Sequence, residues 1–174
     1  MRLLIYQVPT FITNVVILVL CNRIQVYEGL VHMDFSSEKF KVSNIGIYTP
    51  YDVSILPELY LAYCTSVGGE SGKVHSTVRE RWSTRDPELC EGMKLLGSLA
   101  DSAVESLLSG NREKLAELMD LNFATRRRLY GDAVVGSRNI AAVELANQLG
   151  MAAKFTGSGG ALVCLPRQRE SSGW

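Results

Sequence analysis

Residues 152–165 read AAKFTGSGGALVCL, and the fold turns on how this stretch is understood. Two short apolar runs, Ala152–Phe155 and Ala161–Leu165, flank the cluster Thr156-Gly157-Ser158-Gly159-Gly160. Each run is too short for a helix, and glycines lie between them, so the spacing predicts strand, glycine turn, strand. Pro166 then stops the second strand, because it has no backbone N–H to give. Glycines let backbone N–H groups converge on an anion, or let the chain approach a second loop closely. No Gly-Lys-Ser/Thr follows and no helix opens here, so this is not a Walker A loop. A turn between two strands is not a dinucleotide fingerprint either. On the residues alone, a plain tight turn and a ligand loop both stand open.

Upstream of the hairpin, three helices are written in sequence. Asp86-Pro87 supplies an N-cap and a first-turn proline. Leu89, Met93, Leu96, Ala100, Ala103 and Leu107 then recur at steps of three and four, and Gly110 ends the helix. Asn111 can cap the next, in which Leu115, Leu118, Met119, Asn122, Arg126 and Leu129 share a side and Gly131 closes. Ser137 starts the third, with Ile140, Val143 and Leu149 facing inward and Gly150 at its end. Arg126 lies on the apolar side of its helix. An inward arginine needs a partner, either a carboxylate of the fold or an anionic substrate. Arg127 and Arg128 are expected to be solvated.

Further upstream, residues 24–35 (IQVYEGLVHMDF) read as a strand bent at Gly29, and Leu59–Cys64 (LYLAYC) as another. Residues 45–51 read as a loop, with Gly46 and Pro50. Residues 66–73 form a glycine-rich loop. It leads into Lys73-Val74-His75-Ser76-Thr77-Val78-Arg79, followed by Arg81, where cations and hydroxyls gather. That mixture suits a phosphate or carboxylate ligand, and equally a solvated helix start. His75 beside Ser76 is not a catalytic dyad, since sequence neighbours rarely face each other in the needed geometry.

The first 21 residues differ from the rest, carrying only Arg2 as a charge. The apolar run 11–21 falls short of the ~20 residues a membrane span needs, so membrane association is not expected. Arg2 before an apolar core has the order of a signal peptide, but Pro9 comes early and no small-x-small site follows Cys21. A buried strand or helix is the simpler expectation. The tail 167–174 is expected to fray.

Composition narrows the function classes. The chain has 174 residues, 47% hydrophobic and 21% charged, which excludes a disordered or collagen-like polymer. Lys+Arg and Asp+Glu are both 18, so no global basic field draws nucleic acid. Cys21, Cys64, Cys90 and Cys164 form no CxxC pair, and His32 and His75 stand alone. A zinc site is not expected, and reduced thiols in a cytoplasmic protein are.

Four blocks carry a family resemblance: YEGLVHMDF, SGKVHSTVRERW, NFATRRRLYGD and KFTGSGGA, in that order. KFTGSGGALV resembles the third motif of the GHMP kinases, and the four blocks together resemble plant-type glucuronokinase, over about residues 24–165. The resemblance implies an α+β fold, the C-terminal part of a two-domain kinase with helices packed on a mixed or antiparallel sheet. It implies phosphoryl transfer from ATP, with Mg²⁺, to the anomeric hydroxyl of D-glucuronate, on the route to UDP-glucuronate. It divides the chain into a non-family segment 1–21, a remnant of the N-terminal kinase domain at 22–82, the C-terminal domain at 83–166 and a tail.

The resemblance also suggests roles. Lys154, Thr156, Gly157, Ser158, Gly159 and Gly160 would lie on the phosphate side. Lys73, His75, Ser76, Arg79 and Arg126 would face the sugar acid, whose carboxylate suits Lys or Arg. The family's phosphate-cradling loop, Pro-x-x-x-Gly-Leu-Gly-Ser-Ser, has no counterpart in residues 1–23. Cys21 or Asn22 stands where the family has an acid, so no catalytic residue is intact and no metal ligand is assigned. The chain alone is therefore expected to be inactive. The alternatives are an inactive fragment and a non-catalytic interaction protein that self-associates through exposed apolar surface.

Overall fold

The computed structural model describes residues 3–7, 29–34, 46–64, 78, 80–157 and 160–167. The elements are β1 (Leu3–Gln7), β2 (Leu30–Asp34), β3 (Ile47–Tyr51), β4 (Tyr60–Cys64), α1 (Pro87–Leu108), α2 (Arg112–Tyr130), α3 (Asp132–Val135), α4 (Ser137–Gln148), β5 (Met151–Phe155) and β6 (Ala161–Pro166). The expected hairpin is present: β5 and β6 pair antiparallel, with Lys154 opposite Val163 and Phe155 opposite Leu162. They belong to a four-stranded antiparallel sheet of order β1-β4-β6-β5. β2 and β3 form a separate ribbon.

Both faces of the hairpin are covered, which explains its nearly continuous apolar runs. Ala152, Val163 and Leu165 pack on one side with Leu107 of α1 and Leu115, Ala116 and Met119 of α2. Ala153, Phe155, Leu162 and Cys164 pack on the other with Ile140, Val143 and Ala146 of α4. Phe123 of α2 meets Phe155 edge to face, ring centroids 5.4 Å apart. Lys154 shares the pleat face of Ala152 and so turns toward the α2 side of the sheet.

The helix signals are realised locally. The Asp86 carboxylate accepts from the Leu89 amide, with Pro87 in the first turn. Asn111 accepts from the Lys114 amide. Gly110, Gly131, Gly136 and Gly150 adopt positive φ between or after the helices. All the residues expected on the inner side of α2 are buried, Arg126 among them.

Several expectations change. Residues 47–51 are a strand rather than a loop, because a two-stranded ribbon leaves Pro50 an open side where its missing N–H costs nothing. In α1 the buried positions are Leu89, Gly92, Leu99, Ser106 and Leu107, rotated from the expected stripe. Gly92 lets α1 close on α2: a Cβ there would lie 2.6 Å from the Leu129 methyls. Leu149 is 60% exposed, since α4 ends at Gln148 and Ala146 fills the inward place. The short α3, set between Gly131 and Gly136, has no counterpart in the sequence reading. Residues 3–7 form β1 and pair with β4, while residues 11–21, where a buried strand or helix is expected, lie outside the described residues. No described helix is long and apolar enough to cross a membrane.

Candidate functional site

The Gly-rich loop is fastened from two helices. The Gly157 carbonyl accepts from Nη1 of Arg126 at 3.2 Å. The Gly160 amide donates to Oδ1 of Asn139 at 3.0 Å, and Nδ2 of Asn139 donates to the Val135 carbonyl at 2.7 Å. The hairpin closes through the Thr156 amide, which donates to the Ala161 carbonyl at 3.2 Å. Gly160 adopts φ 81°, a conformation that favours glycine. Ser158 and Gly159 lie outside the described residues.

Beneath the loop sit two cations. Lys154 is 6% exposed and Arg126 is 5% exposed. Nζ of Lys154 donates to the Phe155 carbonyl at 3.2 Å. Burial, with a smaller contribution from the nearby Arg126 charge, pushes the Lys154 ammonium down to about 8. Burial also lowers Arg126, against a smaller upward pull from the Tyr130 phenol. Nε of Arg126 and Oδ1 of Asn122 are buried with no hydrogen-bond partner. Asn122 and Arg126 are one helical turn apart, on the same face of α2. Neither cation pairs with a carboxylate among the described residues, so the first of the two partners open to an inward Arg126 is not supplied there.

Arg81 and Arg127 are matched by carboxylates. Arg81 donates through Nε to Asp86 at 2.6 Å and through Nη1 to the Leu129 carbonyl at 2.6 Å, and it also reaches Glu88. It fastens the start of α1 to the end of α2, a structural role. Arg127 is not free in solvent as expected: it grips both oxygens of Asp132, at 2.6 and 2.8 Å. Arg128 is exposed. Lys73, His75, Ser76 and Arg79 lie outside the described residues. Arg126, expected beside them, is found with Lys154 at the loop.

His32 bridges the ribbon to α1, with Nε2 3.0 Å from Oδ1 of Asp101. Among the described residues no group of three or more His, Cys, Asp or Glu could hold a metal ion. Burial pushes the Cys164 thiol up to about 11, which makes it unreactive.

This arrangement is set in a known family context. Residues 103–172 match the family described as GHMP kinases C terminal. They are a GHMP kinase C-terminal domain. The domain takes in α2, α3, α4, the hairpin and the Gly-rich loop. Over 139 residues the chain is 52% identical to "Glucuronokinase 1" of Arabidopsis thaliana, which covers 80% of this chain and 38% of that protein. It is 48% identical over 140 residues to "Probable glucuronokinase 2" of the same plant, with the same coverage. The chain thus spans well under half the length of these curated relatives. Its fold is similar to that of L. major mevalonate kinase, crystallised with R-mevalonate, with a TM-score of 0.64 and 22% identity. That likeness covers 87% of this chain and 43% of the other.

Two site residues escaped the sequence reading. Asn139 gave no signal, since an Asn in a first helical turn reads as an ordinary capping residue. Asn122 was visible as a member of the inner face of α2, but its unpartnered oxygen is a property of the packed fold.

Proposed function

We propose that this chain is the loop-bearing and acceptor-side part of an ATP-dependent sugar-acid kinase, with D-glucuronate as the acceptor at its anomeric hydroxyl. Residues 83–166 form the C-terminal domain in this reading, and 22–82 belong to the N-terminal domain. One observation carries it: two buried cations with no carboxylate partner among the described residues lie under a fastened glycine loop, in a chain 52% identical over 139 residues to a glucuronokinase.

A bound nucleotide supplies the phosphoryl group. Catalysis of its transfer rests on positioning and on neutralising charge, more than on covalent chemistry by the protein. The residues present fit an anionic ligand, because Arg126 keeps an unused buried donor and Lys154 a buried ammonium. Thr156, Gly157, Ser158, Gly159 and Gly160 are the loop that faces the phosphates, and Asn139 holds it at Gly160. Lys73, His75, Ser76 and Arg79 complete the acceptor side. The described residues offer no cluster for Mg²⁺, so no role is assigned to it on this chain.

A second reading, a non-catalytic interaction protein, draws on β1. Its pairing with β4 extends the sheet with a segment that lacks the family's phosphate loop.

A coupled ADP-release assay with Mg²⁺ and D-glucuronate separates the two. The chain alone is expected to give no turnover, for want of donors cradling the nucleotide phosphates. Fused behind the preceding part of a glucuronokinase, residues 24–174 are expected to give glucuronate-dependent ADP release that Gly159→Val abolishes. A folded fusion without that activity overturns the kinase reading.

A further inference from the structure

We infer that Arg126, Lys154 and Asn122 form one subsite that takes the carboxylate of the acceptor together with a hydroxyl beside it. This rests on the sugar-acid kinase reading and reassigns Lys154, which the family resemblance places on the phosphate side.

The charge arrangement is the first ground. Lys154 stands opposite Val163 and two residues along from Ala152, on a buried pleat face where an apolar residue would carry no desolvation cost, so a buried ammonium there asks for a partner. Among the described residues its one hydrogen bond goes to the Phe155 carbonyl. Arg126 spends one donor on Gly157 and leaves Nε unused. Two adjoining cations with spare donors match the paired oxygens of a carboxylate or a phosphoryl group.

Asn122 separates these two. Its Oδ1 is a buried acceptor with nothing donating to it. Nucleotide phosphoryl oxygens at neutral pH carry little hydrogen to donate. In the pyranose form that carries the anomeric hydroxyl, the carbon bearing the carboxylate of D-glucuronate holds the ring oxygen, and the nearest hydroxyl is one carbon further, on C4; that hydroxyl satisfies the amide oxygen while the carboxylate satisfies the cations. Leaving a buried polar group unpaired is costly, so a ligand that fills all three vacancies is discriminated strongly from one that fills two.

The test is calorimetric titration of the full chain with D-glucuronate, D-glucose, inorganic phosphate and sulfate in turn. Glucuronate is expected to bind, and Arg126→Met and Lys154→Met to weaken it about ten- to a hundredfold. Lys154→Arg, which keeps the charge, is expected to restore much of the loss. Asn122→Leu is expected to weaken glucuronate and leave the binding of sulfate, an anion with no hydrogen to donate, unaffected. Glucuronate affinity should fall as pH rises through about 8, where Lys154 loses its proton, and Lys154→Met should flatten that fall. Among the described residues, the ionisable groups acting on this pair are Arg126 on Lys154 and Tyr130 on Arg126.

Circular dichroism melts show which variants are folded. Three results overturn the subsite: no glucuronate binding by the wild-type chain; folded charge variants that bind glucuronate as wild type does; or phosphate binding that alone responds to the charge variants. Because no turnover is read, glucuronate binding without kinase activity in the fusion removes the kinase reading and leaves the subsite standing. Activity with unchanged glucuronate affinity in the variants removes the subsite alone.

Discussion

The two ends of α2 treat buried charge in opposite ways. Toward its start, Arg167 from the end of β6 reaches Glu113 and Asp120, and Nε of Arg112 donates to the Pro166 carbonyl at 2.9 Å. Burial raises the Asp120 carboxyl, while Arg167 and the Ala153 amide pull it down. Arg167 meets two carboxylates there, and the end of β6 is pinned beside the start of α2. Toward the other end, Arg126 and Lys154 lie deeper and meet only carbonyls. A fold that balances charge at one end of a helix and leaves it unbalanced at the other marks the unbalanced end for a ligand.

The balanced end also rests on close packing, and this gives the largest effect. Leu165 is fully buried against α1 and α2. Leu165→Ala should cost ~2–5 kcal/mol in urea unfolding. A loss under 1 kcal/mol would mean that this core is not what holds the hairpin.

Gly92→Val comes next. It forces a side chain into the Leu129 methyls and should cost ~1–3 kcal/mol by the same measurement. Leu129 lies one turn from Arg126, so this variant also shows whether the unbalanced end depends on how closely α1 seats.

A smaller effect is expected in pH. The folded value for Lys154, about 8, lies below the ordinary 10.5. Between those values the unfolded chain holds a proton that the folded chain has lost. Stability therefore rises with pH across that window, by up to ~1.4 kcal/mol per unit. The rise should disappear in Lys154→Met, measured as the difference between wild-type and variant unfolding curves at pH 8, 9 and 10. A difference that does not change with pH would place the ammonium in water.

Much of this was legible in the sequence, for physical reasons. The hairpin shows itself because strands covered on both faces read as nearly continuous apolar runs, here interrupted by Lys154, around a glycine turn. Arg126 shows itself because it falls within an apolar stripe of period 3.6. Lys154 did not betray its depth. In a strand a lysine normally marks the wet face, and only the placing of α2 against the hairpin makes that face dry. Residues 47–51 were misread because Gly46 and Pro50 are turn residues, and nothing local says that the ribbon leaves Pro50 an open side. Leu149 was placed inside because its spacing continues the stripe of α4, while the helix stops one residue short of it.

The contrast between the two ends is tested most directly by one pair of variants in equilibrium urea unfolding without ligand: Arg167→Met and Arg126→Met. Arg167→Met breaks two carboxylate pairs and leaves Asp120 half-buried without its cation, so it should lose ~1–2 kcal/mol. Arg126→Met replaces an unpaired buried charge with an apolar chain of similar length, so it should be as stable as wild type or slightly more so. If Arg126→Met instead loses as much as Arg167→Met, Arg126 is a structural anchor for the loop, and the unbalanced end of α2 is not a binding site.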